Sequence, residues 1–143
     1  MRPDPGASAD SNGADHSRMD FNLRSMRAIA GIGALACGGA VGIGAYAMHG
    51  ASTPQNHERL VIAALFLFAH GLALAALAPG TRSRLRQAGF LGLMIGTALF
   101  VGSLVLAALL GIAPTLAPFG GSLLMLGWLL IGIGFLLNES ING

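Results

Sequence analysis

The chain has 143 residues, of which 54% are hydrophobic and only 10% charged. A single soluble domain has no interior large enough to hide that much apolar surface, so the composition excludes an ordinary soluble fold. Its 8 basic residues, all arginine, stand against 6 acidic ones for a net charge of +2, which leaves no electrostatic footprint for nucleic acid.

Residues 1–23 are rich in Pro, Gly, Ser, Asp and Asn and nearly free of large apolar side chains. Such a segment buries too little to offset its ordering entropy, and a disordered cytoplasmic tail is expected, with His16 a solvated side chain within it. Arg24 and Arg27 then precede an uncharged run over residues 28–48. About 20 residues at 1.5 Å each match a hydrocarbon core about 30 Å thick, so this run reads as a first membrane span. A basic flank, an apolar core and the small-x-small site Ala45-Tyr46-Ala47 also fit a secretory signal peptide, although the run exceeds the usual length of a signal core.

Within the run, Gly31-Ile32-Gly33-Ala34-Leu35-Ala36 matches a dinucleotide-binding fingerprint, but it lacks the strand before it and the helix after it and is rejected. Small residues recur every fourth position at Ala30, Ala34, Gly38 and Gly42, a row expected to form a groove for another helix backbone. Cys37, the single cysteine, reads as a small packed hydrophobe.

The polar segment from His49 to Arg59 is a surface loop, followed by a second span over residues 60–78 that Pro79-Gly80 ends. Arg82, Arg84 and Arg86 form a short basic loop before a third span over residues 88–112, in which Gly92, Gly96 and Gly102 are further packing candidates. An uncharged turn with two prolines leads to a fourth span over residues 119–137, which opens with Gly120-Gly121. Residues 138–143 form a polar tail. The expected fold class is an all-α membrane protein of four transmembrane helices, two helical hairpins in a small bundle. Arg18, Arg24 and Arg27 before the first span and Arg82, Arg84 and Arg86 between spans two and three share one side, against Arg59 on the other, so the positive-inside rule puts both termini in the cytoplasm.

Ionisable groups inside a bilayer are costly and are functional candidates by default, which singles out His70, about 15 Å into the second span. One reading has neutral His70 hydrogen-bonded to a neighbouring helix, for instance to Ser103, Thr97 or a carbonyl freed near a glycine; the other makes it a proton relay or ligand. His49, His57, Glu58 and Arg59 share one membrane surface and are read as a cap closing helix ends. No pair among them has the spacing of a strong metal motif. A haem held by His49 and His70 is disfavoured because the two lie at different depths. No Asp or Glu lies within a span to orient a histidine, so no catalytic residue, metal or cofactor is expected.

Gly44-Ala45-Tyr46-Ala47-Met48-His49-Gly50 resembles the G-A-F-G-A-H-G signature of the YgdD and transmembrane protein 256 family, known as domain of unknown function 423. His70-Gly71-Leu72-Ala73-Leu74, Phe100-Val101-Gly102-Ser103-Leu104, Pro118-Phe119-Gly120-Gly121 and Gly127-Trp128 resemble its later motifs in the same order. The resemblance implies a small bacterial inner-membrane protein of four helices with no established activity. Leu67 stands where the family often has a second histidine, Val101 where it has serine, Val105 where it has an aromatic residue and Ala117 where it has threonine. These departures thin out any polar His-His-Ser network. The leading expectation is an accessory or assembly component acting through helix packing, with the lipid bilayer and further copies or a larger membrane complex as partners. The alternative is a conduit or carrier for a small solute or proton through His70 and His49, and a third is a haem or quinone binder.

Overall fold

A computed structural model describes the backbone of residues 5–139 and the side chains of residues 20–137 other than 22. It contains four helices in chain order, α1 (Pro5–Gly50), α2 (Pro54–Leu77), α3 (Arg84–Leu110) and α4 (Ala117–Glu139). All four are long and apolar enough to cross a membrane, with the spanning part of α1 at Leu23–Gly50. The chain is an all-helical membrane protein. Large apolar side chains such as Leu35, Phe119 and Met125 are exposed on the outside of the bundle, which suits lipid and would be untenable in water.

The N-terminal tail differs from expectation, because residues 5–22, expected to be disordered, continue α1. Once a span is helical, each added residue gains a hydrogen bond without a new nucleus, so the helix propagates outward cheaply. Pro5 suits the first helical position, where its missing N–H would be unpaired anyway. Residues 1–4 and 140–143 and the side chain of His16 lie outside the described residues.

Span ends are set by local chemistry. The loop between α1 and α2 is only three residues, since α2 starts at Pro54 and not near residue 60. Thr53 is its N-cap: its side chain accepts from the Asn56 N–H at 3.1 Å, and Pro54 follows at the first helical position. Gly80 (φ +75°) and Gly111 (φ +69°) take the left-handed turns after α2 and α3 that other residues avoid. Thr81, buried in the second loop, donates its hydroxyl to the Leu77 carbonyl and accepts from the Gln87 side chain at its own carbonyl.

The helices stand as two hairpins, α1 with α2 and α3 with α4, joined by packing of α2 on α3. α1 also meets α3, whereas the backbone of α4 approaches α3 alone among the described residues. The bundle is therefore an open arrangement and not a closed ring of four. Its main core, Met26, Ile29, Leu74, Ala78, Phe90, Leu93, Leu124 and Ile131, is concentrated toward the end that bears the arginine loop.

Candidate functional site

Close backbone crossings locate the real helix interfaces. A Cβ placed on Gly33 would lie 2.5 Å from the Gly71 carbonyl oxygen, and one on Gly71 would lie 2.8 Å from the Gly33 carbonyl oxygen. In the second hairpin, Gly89 and Gly127 face each other, as do Gly96 and Gly120, with backbone atoms 2.9 to 3.0 Å from the missing Cβ atoms. Gly89 and Gly96 are seven residues apart, and so are Gly120 and Gly127, so one antiparallel register brings both pairs together. On α4 the buried positions Gly120, Leu124, Gly127, Ile131 and Gly134 follow the same alternation of four and three. On α1, Met26, Gly33, Ala40 and Ala47 are buried at strict seven-residue spacing. That period is the signature of left-handed helix packing with crossing angles near +20°.

The expected packing residues divide accordingly. Gly96 and Gly120 sit at a crossing; a Cβ on Gly92 would lie 3.7 Å from the Gly127 Cα, and one on Gly121 would lie 3.9 Å from the Phe100 ring. Within the chain the row Ala30, Ala34, Gly38 and Gly42 does not hold α1 to α2: a Cβ on Gly38 or Gly42 would meet nothing within 4 Å, and Ala34 is exposed. A four-residue row turns about 40° per step around a helix, and from Ala30 to Gly42 it swings about 120° off any one interface. A seven-residue row drifts only about 20° per repeat. Gly102 likewise meets nothing.

His70 is 9% exposed and lies on the inner face of α2, one residue before the Gly33–Gly71 crossing. Its Nδ1–H donates to the Phe66 carbonyl one turn back at 2.7 Å, not to Ser103 or Thr97 as expected. A carbonyl only accepts, so Nδ1 carries a proton. Thr97 closes on its own helix in the same way, donating to the Leu93 carbonyl at 2.7 Å. Ser103 is buried without a hydrogen bond to His70.

Around His70 the side chains are aromatic. Phe66 stacks on the imidazole at 5.4 Å between ring centroids, Phe100 of α3 packs on Phe66 at 4.5 Å, and Trp128 of α4 lies 6.2 Å from the imidazole. Three helices thus meet at His70 through rings, and α4 reaches α2 by this side-chain contact. Sequence reasoning named neither Phe66 nor the ring cluster. The available signal was the four-residue spacing of Phe66 and His70, which stacks their side chains on one helix face.

The surface histidines do not form one cluster. His57 donates from Nδ1 to the Ala47 carbonyl at 2.8 Å, closing one of the carbonyls that the end of α1 leaves without a helical partner. This matches the expected capping role for His57 alone. Ala47 is 1% exposed and lies inside α1, so the segment that a signal-peptide reading would cut is an integral part of the first hairpin. His49 and Glu58 are exposed, and neither they nor Arg59 make an ion pair. Among the described residues no three His, Cys, Asp or Glu side chains gather as metal ligands. Cys37 is occupied by packing, its thiol 3.6 Å from the Phe68 carbonyl across the first hairpin.

At the other end, Arg86 lays its stem into the gap left by Gly134, and its guanidinium covers the Phe135 ring at 4.9 Å. A cation over a ring at the last turns of α4 also suits the negative end of that helix.

Residues 43–121 match a family model described as a protein of unknown function (DUF423). The chain is also similar to a UPF0382 membrane protein of Staphylococcus saprophyticus, 36% identical over 111 residues that cover 72% of this chain and 92% of that relative. No solved structure matches.

Proposed function

Since the chain belongs to the DUF423 family of membrane proteins, we propose that it is a non-enzymatic packing component of the bacterial inner membrane, engaging further copies or a larger complex through its helices. Both termini and the arginine loop face the cytoplasm in this reading, by the positive-inside rule. The observation that carries it is the open side of the bundle. The backbone of α4 approaches α3 alone among the described residues and the Ala34, Gly38 and Gly42 row of α1 is bare, so surface suited to close helix approach is left unused within the chain. His70, Thr97 and Ser122 turn back onto their own helices, which supplies no row of donors and acceptors for a permeating solute. Purification in mild detergent with identification of co-purifying proteins tests the reading, and a strictly monomeric, partner-free protein refutes it.

A second reading, a proton or small-solute conduit through His70, has one observation in its favour. Nε2 of His70 makes no hydrogen bond among the described residues, so a ring nitrogen stands free near mid-span. Flux in proteoliposomes that disappears in His70→Leu would support the conduit; absence of flux in the wild type would end it.

A further inference from the structure

His70 and Trp128 bring two ring nitrogens to one place in the bilayer, and the chain pairs neither. The Nδ1 of His70 is tied to the Phe66 carbonyl, while its Nε2 makes no hydrogen bond among the described residues. The Trp128 indole N–H makes none either. Tryptophans of membrane proteins gather at headgroup depth, where this N–H finds a partner, but Trp128 is the twelfth of the 23 residues of α4 and lies at its middle. Among the described residues the enclosed side-chain nitrogen or oxygen without a partner is Arg86 Nε, so Nε2 of His70 keeps open surface although the residue as a whole is buried.

Both nitrogens belong to a crevice between α2 and α4. These helices share no backbone contact among the described residues, so side-chain rings alone span the gap. Phe66 and Trp128, 36% and 41% exposed, stand where lipid reaches them, and His70, 9% exposed, lies deeper between them. Phe100 of α3 packs on Phe66 and fixes that side of the crevice.

Chemistry selects the occupant. An acyl chain or an apolar helix face would leave both nitrogens unpaired in hydrocarbon, where no water compensates them. An anion finds no counter-charge, because the spans contain no arginine or lysine. A metal ion is repelled by the indole N–H, which only donates, and no cluster of metal ligands stands among the described residues. A hydroxyl fits both atoms: it accepts from the indole N–H, and toward Nε2 it donates to a lone pair or accepts from an N–H, whichever form the imidazole takes. Two hydrogen bonds through one oxygen span up to about 5.5 Å, comparable with the 6.2 Å between the two ring centroids. The neighbouring rings suit a planar aromatic carrier for that hydroxyl.

We propose that the α2–α4 crevice binds the ring of a lipid-soluble quinol, its hydroxyl on His70 Nε2 and the Trp128 indole N–H and its ring against Phe66. No electron transfer is involved, and the site stands whether or not the bundle passes protons. Trp128 is the one tryptophan of the chain, so its emission reports on the crevice. The full chain in mild detergent is titrated under argon with duroquinol, and a tryptophan octyl ester in the same micelles measures quenching by partition alone. Emission of the wild type should change saturably, beyond the change in the ester. Durene, the same ring without oxygen, should compete at least about tenfold more weakly, as loss of the hydrogen bonds requires. His70→Phe keeps a ring without its nitrogens and should weaken duroquinol about tenfold while leaving durene unchanged; His57→Ala, at the membrane surface, should bind as the wild type does. If His70→Phe fails to fold, the ratio of duroquinol to durene on the wild type decides alone. The proposal is overturned if the two compounds bind alike, if duroquinol acts on the protein no more than on the ester, or if folded His70→Phe retains full affinity.

Discussion

Replacing Gly120 by alanine tests whether the seven-residue glycine pairs set the distance between α3 and α4. The new Cβ would lie 2.5 Å from the Phe100 nitrogen, 2.8 Å from its Cα and 2.9 Å from the Gly96 carbonyl oxygen. All three atoms are backbone, so no rotamer change relieves the contact, and the helices must part by nearly 1 Å to reach ordinary packing distance. The Gly89–Gly127 crossing, one heptad away, resists that movement. Overpacking of this kind costs about 1–3 kcal/mol, against at most about 1 kcal/mol recovered from the better helix propensity of alanine. Gly42→Ala carries the same propensity gain with no contact to break, because nothing lies within 4 Å. Gly120→Ala should therefore destabilise and Gly42→Ala should be neutral or stabilising, a separation of about 2 kcal/mol between chemically identical changes. Reversible unfolding in mixed micelles, followed by far-ultraviolet circular dichroism, reads the difference. Equal shifts of the two variants, or a Gly120→Ala protein as stable as the wild type, would refute the assigned interface.

Thr53→Ala removes the acceptor that caps α2 and should cost about 1 kcal/mol, with Thr53→Ser retaining most of it, in the same unfolding assay. His57→Ala leaves the Ala47 carbonyl unclosed and should cost about 0.5–1.5 kcal/mol; the double variant with Thr53→Ala should be less than additive, since both groups fix the same turn. Gly134→Leu evicts the Arg86 stem from its groove, and its cost should shrink in an Arg86→Ala background, as a thermodynamic cycle would show. Trp128 is the one tryptophan of the chain and lies beside the His70 ring, so His70→Leu should change tryptophan emission while His57→Ala leaves it unchanged.

The spans were legible because hydrocarbon imposes one strong requirement, about 20 apolar residues per crossing, and four runs meet it. Their ends were less legible. Thr53-Pro54 is a helix start in sequence as much as in structure, but the polar composition of residues 55–59 masked it as loop. The interfaces were half legible. Gly96 and Gly120 were identifiable as small residues, yet the four-residue rule favoured the bare row on α1 over the seven-residue row that packs. Both periods are present in the same glycine-rich run, and only a partner helix chooses between them. The family-like motifs carried more than their composition indicated: His70-Gly71, Phe100, Gly120 and Gly127-Trp128 come from three helices and adjoin through crossings and ring contacts. The Gly44 to Gly50 signature stands apart from them, at the hairpin turn.

That separation has a physical consequence. Near the arginine loop, Phe90, Leu93 and Ile131 are wholly buried, in a core to which all four helices contribute. Toward Thr53 small side chains, Ala40, Ala47, Ala63 and Ala107, join Leu60 and Val101 among the buried positions, and the bundle opens into a cleft beside Tyr46. Small buried side chains give up little dispersion energy when helices separate, so relative motion is cheap at this end and costly at the other. His70 lies between the two regions, and its rings connect α2, α3 and α4 where backbone contact between α2 and α4 is missing. A histidine tied to its own helix through Nδ1 keeps a fixed ring orientation, so Phe66 and Trp128 pack against a defined surface. Substitution there should therefore loosen α4 against α2 before it disturbs either hairpin, which separates a connector from a residue that either hairpin needs in order to fold.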